Sequence, residues 1–242
     1  MTHHASATGS ATHRANNAGA AATCAGAAAP VPQTEPIRVS LPLWRTQADR
    51  VLIVARRSKK QLAELEKEGA VVVDVSATSK QPVGVKFAPT YPHGNVPVPY
   101  MPDVKSLSVE GVLQGLKVFA DGTGIDVSKF RARGAASLAR GKRKFGELAG
   151  YKVGEGGAVC DEATARRNVF VPLYTWVLNT YLANELRAMA DEVIAGRRVV
   201  LLDHSTNEDV YNVDKRFTHA SLIKAWLTAY FQHVATVAAE RT

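Results

Sequence analysis

The chain is short of cysteine, with Cys24 and Cys160 alone among 242 residues. Two thiols cannot build a disulfide framework, and their spacing fits no metal motif. A reducing, cytoplasmic setting is therefore the expectation. No run of about 18 or more apolar residues occurs, so no membrane span is expected. His204 and His219 lack metal-ligand spacing, no internal repeat is visible, and the glycine cluster at 154–157 (GEGG) is too short for a phosphate loop. Acids are scarcer than bases, 22 against 30, and the formal charge is +8. Such an excess attracts anions such as nucleic acid, nucleotides or phosphorylated metabolites, without naming one.

The first 36 residues lack large apolar side chains almost entirely and hold no acid before Glu35. Such a segment buries too little surface to offset its ordering entropy, so residues 1–36 read as a disordered tail. With Arg14 as its only Lys or Arg and no leucine-like face, it does not fit a transit peptide. Deleting it is expected to leave the melting temperature within about 2 °C, and a larger fall in a thermal melt would mean that the tail docks on the domain.

What remains, residues 37–242, has ordinary globular composition, 46% hydrophobic and 21% charged for the whole chain, and is long enough for one substantial core. Val51 to Ala55 fits a short strand or the start of a helix. Ser58 to Glu68 reads as a helix with Ser58 as cap and Gly69 as stop. Ala70 to Val75 and Val199 to Leu202 read as buried strands, Asp161 to Asn184 as helix interrupted or restarted at Pro172, and His219 to Val237 as an amphipathic helix. The expected class is α+β or α/β, a single mainly helical domain with a small sheet.

The chain is organised around Ser106 to Phe119, SLSVEGVLQGLKVF. Ser108 caps a helix whose first turn holds Glu110, where a carboxylate suits the positive end of the dipole. Val109, Val112, Leu113, Leu116 and Phe119 form an apolar stripe, and Glu110, Gln114 and Lys117 a polar one beside it. Gly111 and Gly115 each cost about 1 kcal/mol inside a helix, which implies that a backbone or a ligand comes close. An acid, an amide and an amine one turn apart can floor a pocket; the same spacing also suits a solvated face.

Before this helix, Gln81 to Asp103 is stiffened by six prolines and carries Phe87, Tyr91 and Tyr100. A rigid aromatic loop suits stacking on a planar ring, and equally suits capping a core. Lys129, Arg131, Arg133, Arg140, Lys142, Arg143 and Lys144 then follow without an acid among them, which would suit phosphate or a solvated face. Asp203, His204, Asn207, Glu208 and Asp209 follow the last strand, where polar groups build either a site or a local Asx turn.

The segments KFAPTYPHGNVPVPY, SLSVEGVLQGLKVF, KRKFGELAGYKVG, RRNVFVPLYTWVL and VVLLDHSTNEDV resemble a family of bacterial and fungal proteins. Its pattern reads F-S-P-F-Y-P-H-G-x-I-P-V-P-F, then S-V-E-G-I-W-Q-G-L-K-V-F, and later L-L-D-Y-x-T-N. That family in turn resembles, distantly, the NADAR (YbiA-like) domain, in which an F-L-S-N-F-Y loop precedes a helix beginning S-x-E-H-x-x-Q-x-x-K. The resemblance aligns Phe87 and Tyr91 with the loop aromatics, and Glu110, Gln114 and Lys117 with the helix triad. The NADAR histidine is Gly111 here, and its later acid corresponds to Asp203 or Asp209.

NADAR domains are N-glycosidases acting on riboflavin-pathway intermediates or ADP-ribosylated guanine. The resemblance therefore implies a hydrolase cleaving the N-glycosidic bond of a nucleotide-like or ADP-ribosyl substrate, with no metal or organic cofactor. Glu110 and Asp203 would be catalytic. Phe87, Tyr91 and His93 from the loop would hold substrate with Gln114 and Lys117, aided by Lys142, Arg143, Asn207 and Asp209. The alternative is a non-catalytic module binding a nucleotide or nucleic acid through the same pocket and basic run.

Overall fold

The computed structural model describes residues 43–153 and 156–241, apart from the side chains of Leu43, Lys142 and Arg143. The expected tail, Cys24, the start of folded structure near Ile37 and the first half of the glycine cluster lie outside the described residues. The rest is a mixed α+β domain.

Helix α1 (Leu43–Asp49) leads into β1 (Val51–Ala55), which settles the VLIVA stretch as a strand. Helix α2 (Lys59–Lys67) ends at Gly69, whose φ of +79° turns the chain in the left-handed region that glycine enters without strain. Strand β2 (Val71–Asp74) follows. The proline-rich stretch then holds a 3₁₀ turn over Gly84–Phe87 and a hairpin of β3 (Val96–Val98) and β4 (Met101–Ser106). Helix α3 (Val109–Leu116) passes directly into β5 (Lys117–Phe119). A 3₁₀ turn at Val127–Arg131 and the short helices α4 (Ala135–Leu138) and α5 (Lys142–Phe145) precede β6 (Leu148–Lys152) and β7 (Val159–Cys160).

Next, α6 (Glu162–Ala165), a π turn at Arg166–Phe170 and α7 (Val171–Tyr181) make one continuous helical run. Pro172 accounts for the π turn. It offers no N–H, and its ring would press on the carbonyl one α turn back, so widening the preceding turn keeps the helix going. Helix α8 (Ala183–Ile194), not anticipated from the sequence, β8 (Val199–Asp203) and α9 (Ala220–Ala239) complete the described chain.

Among the described residues the strands form three small sheets rather than one. The central one is parallel, with β8 between β1 and β2, and all five residues of β8 are buried. Alternation along the strands divides their side chains between two cores. Val51, Val199 and Leu201 join the main core with α3, α7, α8 and α9, while Val54, Val200 and Leu202 meet Leu65 of α2 on the other face. The parallel sheet therefore delivers Asp203, at the end of its central strand, to one end of the domain.

The other sheets are antiparallel, β3 with β4 and β5–β6–β7. In the latter, Lys117 stands opposite Tyr151, so their side chains are cross-strand neighbours. No described helix is long and apolar enough to cross a membrane.

Candidate functional site

The helix of Glu110 forms as its sequence dictates. The Ser108 hydroxyl accepts the Gly111 N–H at 3.0 Å, and Val112 and Leu116 are fully buried, each contributing about 1.5–3 kcal/mol. The helix is shorter than the periodicity implied, ending at Leu116, so Lys117 is the first residue of β5. Arg140 braces this end. Its buried guanidinium donates to the carbonyls of Gln114 at 3.2 Å, Lys117 at 2.8 Å and Gly124 at 2.9 Å, and lies over the rings of Phe119 and Phe145. It thus satisfies carbonyls that the helix end leaves open.

The two helix glycines are explained by close approach. A Cβ on Gly111 would lie 2.6 Å from Ser106 Oγ and 2.9 Å from the Lys129 carbonyl, and one on Gly115 would meet the Phe130 ring. A neighbouring backbone fills the first space and a core aromatic the second.

Beside α3 lies a cavity of about 380 Å³. Glu110, Leu113, Gln114 and Lys117 form one wall, and Pro89 and Tyr151 adjoin them. Glu162, Arg166 and Phe170 come from the helical run at its π turn, and Arg216, Phe217 and His219 from the segment entering α9. The proline-rich loop is tied to this wall because the Pro89 carbonyl accepts the Glu110 N–H at 2.9 Å.

Charge is concentrated inside. Gln114 Nε2 donates to Glu110 Oε1 at 2.7 Å, while Gln114 Oε1 accepts the Arg140 N–H at 3.2 Å. Glu110 Oε2 has no protein hydrogen-bond partner among the described residues. Burial lowers the pKa of Lys117, and the carboxylates Glu110 and Glu162 pull it back up. Tyr151 is held as a neutral phenol, its pKa raised by burial and then by Glu162 and Glu110. Arg166 pairs with Glu162 at 2.5 Å and donates to the carbonyls of Asn212 and Lys215, which pins the 205–217 segment to the helix. Phe170 and Phe217 meet edge to face at 6.0 Å.

Behind the cavity, His219 contacts the Val75 carbonyl through Nε2 at 2.8 Å, and its Nδ1 lies 3.3 Å from Asp203 Oδ2. Burial lowers the His219 pKa, against the opposing pull of Asp203.

The structure therefore gathers Glu110, Gln114 and Lys117 on one wall and disperses the other expected site residues. Phe87 is fully buried in the core, where its carbonyl accepts from Tyr174 Oη at 2.6 Å, so its ring has no face for a ligand. Tyr91 is not on the cavity wall; it packs on His93, which stacks in turn on Tyr181 and contacts the Lys86 carbonyl at 2.8 Å. Phe87 thus fills the core, the second of the two roles that composition allowed, while Tyr91 stays half-buried beside His93 and Tyr100 is exposed on the β3–β4 turn.

Asp203 is 3% exposed, and its carboxylate is taken by Thr218 Oγ1 at 2.6 Å and the His204 N–H at 2.7 Å. It is not on the cavity wall, and meets it through His219. Asn207 donates to the carbonyls of Asp209, Asn212 and Lys215, and Asp209 accepts the Tyr211 N–H, so both build the loop as Asx turns. They line a separate depression. The side chains of Lys142 and Arg143 lie outside the described residues.

Sequence reasoning missed Glu162, Arg166, Tyr151, Arg216 and His219. One signal was present: Glu162, Arg166 and Phe170 recur at steps of four just before Pro172. Among the described residues no group of three or more His, Cys, Asp and Glu is placed to hold a metal ion.

Fold and cavity together define a small α+β domain with a ligand-sized polar pocket. The chain belongs to a family of unknown function (DUF6939), whose model matches residues 54–223 and so includes every residue of the cavity. No curated protein and no solved structure matches the chain.

Proposed function

We propose that the protein is an N-glycosidase that hydrolyses the bond between ribose and a base nitrogen in a nucleotide-like or ADP-ribosyl substrate. The observation that carries this reading is Glu110. Its carboxylate stands on a cavity wall, held at Oε1 by Gln114 and open at Oε2, with cationic Lys117, Arg166 and Arg216 around it.

Cleaving an N-glycosidic bond develops positive charge at the anomeric carbon. A carboxylate beside that carbon stabilises the charge or deprotonates the attacking water. Glu110 takes this role. Glu162 is committed to Arg166 and balances the guanidinium. Phe217, half-buried on the cavity wall, replaces Phe87 and Tyr91 as the ring on which a base stacks. Lys117 binds a ribose or phosphate oxygen, and Tyr151 donates from its neutral hydroxyl.

The test is incubation with a panel of ribosylated bases and nucleotides, followed by mass spectrometry for free base. Lys117→Ala is expected to raise KM about tenfold while changing kcat much less, because a ground-state contact is lost. Wild-type KM should also rise with pH once Lys117 deprotonates. Its lowered pKa puts that rise below the usual lysine range. A Lys117→Ala variant with unchanged KM, or a KM flat through that pH range, would take Lys117 out of the binding role.

A further inference from the structure

A second depression of about 610 Å³ opens where β1 and β8 end, the edge of a parallel sheet at which ligands commonly bind. Its basic residues are Arg57, His204, Lys215 and Arg216, all exposed. Among the described residues, the side chains of Arg57, Lys215 and Arg216 have no carboxylate partner. Their surroundings are nevertheless ordered. The Lys215 carbonyl accepts from Arg166 and Asn207, and the Arg216 carbonyl from Ser205 Oγ, so the backbone that presents these two cations is fixed.

The two carboxylates of the depression are partly engaged. Glu208 lies 4.0 Å from Lys224, and Asp209 accepts a backbone N–H. Arg216 lines both this depression and the cavity of Glu110, so the two spaces share a side chain.

We propose that this depression is a diphosphate subsite, and that the ligand is a nucleoside diphosphate. Its ribosyl end occupies the cavity, and its phosphates cross Arg216 to reach Arg57 and Lys215. Guanidinium groups bind phosphate oxygens two at a time, and Lys adds a point charge. The placement of the ribose rests on the N-glycosidase reading; the phosphate site does not.

Inorganic pyrophosphate, which has no glycosidic bond, separates the two. Isothermal titration of the full chain at low salt should show pyrophosphate binding, weakened at least about tenfold in an Arg57→Ala/Lys215→Ala variant. A Lys60→Ala/Lys67→Ala control removes the same charge from exposed positions on α2 and should bind as wild type does. The first variant should also weaken ADP-ribose binding and leave adenosine binding unchanged. Absence of pyrophosphate binding, or an equal loss in both double variants, would overturn the subsite. Pyrophosphate binding that survives in a protein with no glycosidase activity would uphold the subsite and overturn only the reaction.

Discussion

Replacing Glu110 with glutamine is expected to slow base release by about 10²-fold or more. The substitution keeps the length of the side chain and its neighbour Gln114, and removes the negative charge. That charge matters most when the anomeric carbon becomes cationic, so ground-state binding of substrate should change much less than turnover. Glu110 is half-buried at the cavity wall and is not part of the core, so the variant should melt as the wild type does. A Glu110→Gln protein that releases base at the wild-type rate would remove Glu110 from the mechanism.

The second large effect concerns Gly111, inside helix α3. Gly111→His is expected to cost about 3 kcal/mol or more, a fall of about 6–12 °C in melting temperature for a chain of this size. The new Cβ would sit 2.6 Å from Ser106 Oγ and 2.9 Å from the Lys129 carbonyl. Neither atom yields easily. Ser106 Oγ is held by the carbonyls of Ser108 and Phe130, and the Leu107 N–H donates to Phe130 at 2.7 Å. Gly111 also lies off the cavity wall, so an imidazole there would enter packed backbone rather than the site. Thermal melts of the purified variant decide the matter. An unchanged midpoint would mean that α3 and the Val127–Arg131 turn are not packed as described.

These two positions mark what the sequence could and could not disclose. The stripe of Glu110, Gln114 and Lys117 was legible because spacing along the chain fixes which side chains share a face. Its end was not, because Arg140, more than twenty residues on, holds the carbonyls of Gln114 in the last turn and of Lys117 just beyond it. Two strands of the central sheet were legible in the short apolar runs at Val71 and Val199, though their parallel pairing and order, with β8 between β1 and β2, rest on contacts distant in sequence.

Composition left the loop aromatics with two roles. For Phe87 the core wins, and there its carbonyl accepts from the hydroxyl of Tyr174, 87 residues on in the chain. The opposite wall was hidden for the same reason. Arg216 and His219 carry no local pattern, and Arg166 draws them toward Glu110 by holding the carbonyl of Lys215. The basic run divides, because charge in sequence says nothing of direction. Arg140 turns inward to three carbonyls, and the Lys129 ammonium donates to the Ser137 carbonyl at 2.6 Å.

The most direct measurement is hydrolysis in isotopically labelled water, with mass spectrometry of both products from the ribosylated panel. N-glycosidic hydrolysis places the water oxygen on the anomeric carbon, so at least one substrate should give unlabelled free base and a sugar that carries the label sooner than free sugar exchanges it, through its open-chain aldehyde, in the same water. Both products should fall together in Glu110→Gln. Substrates that bind and are recovered intact, or base released without label in the sugar, would contradict the account.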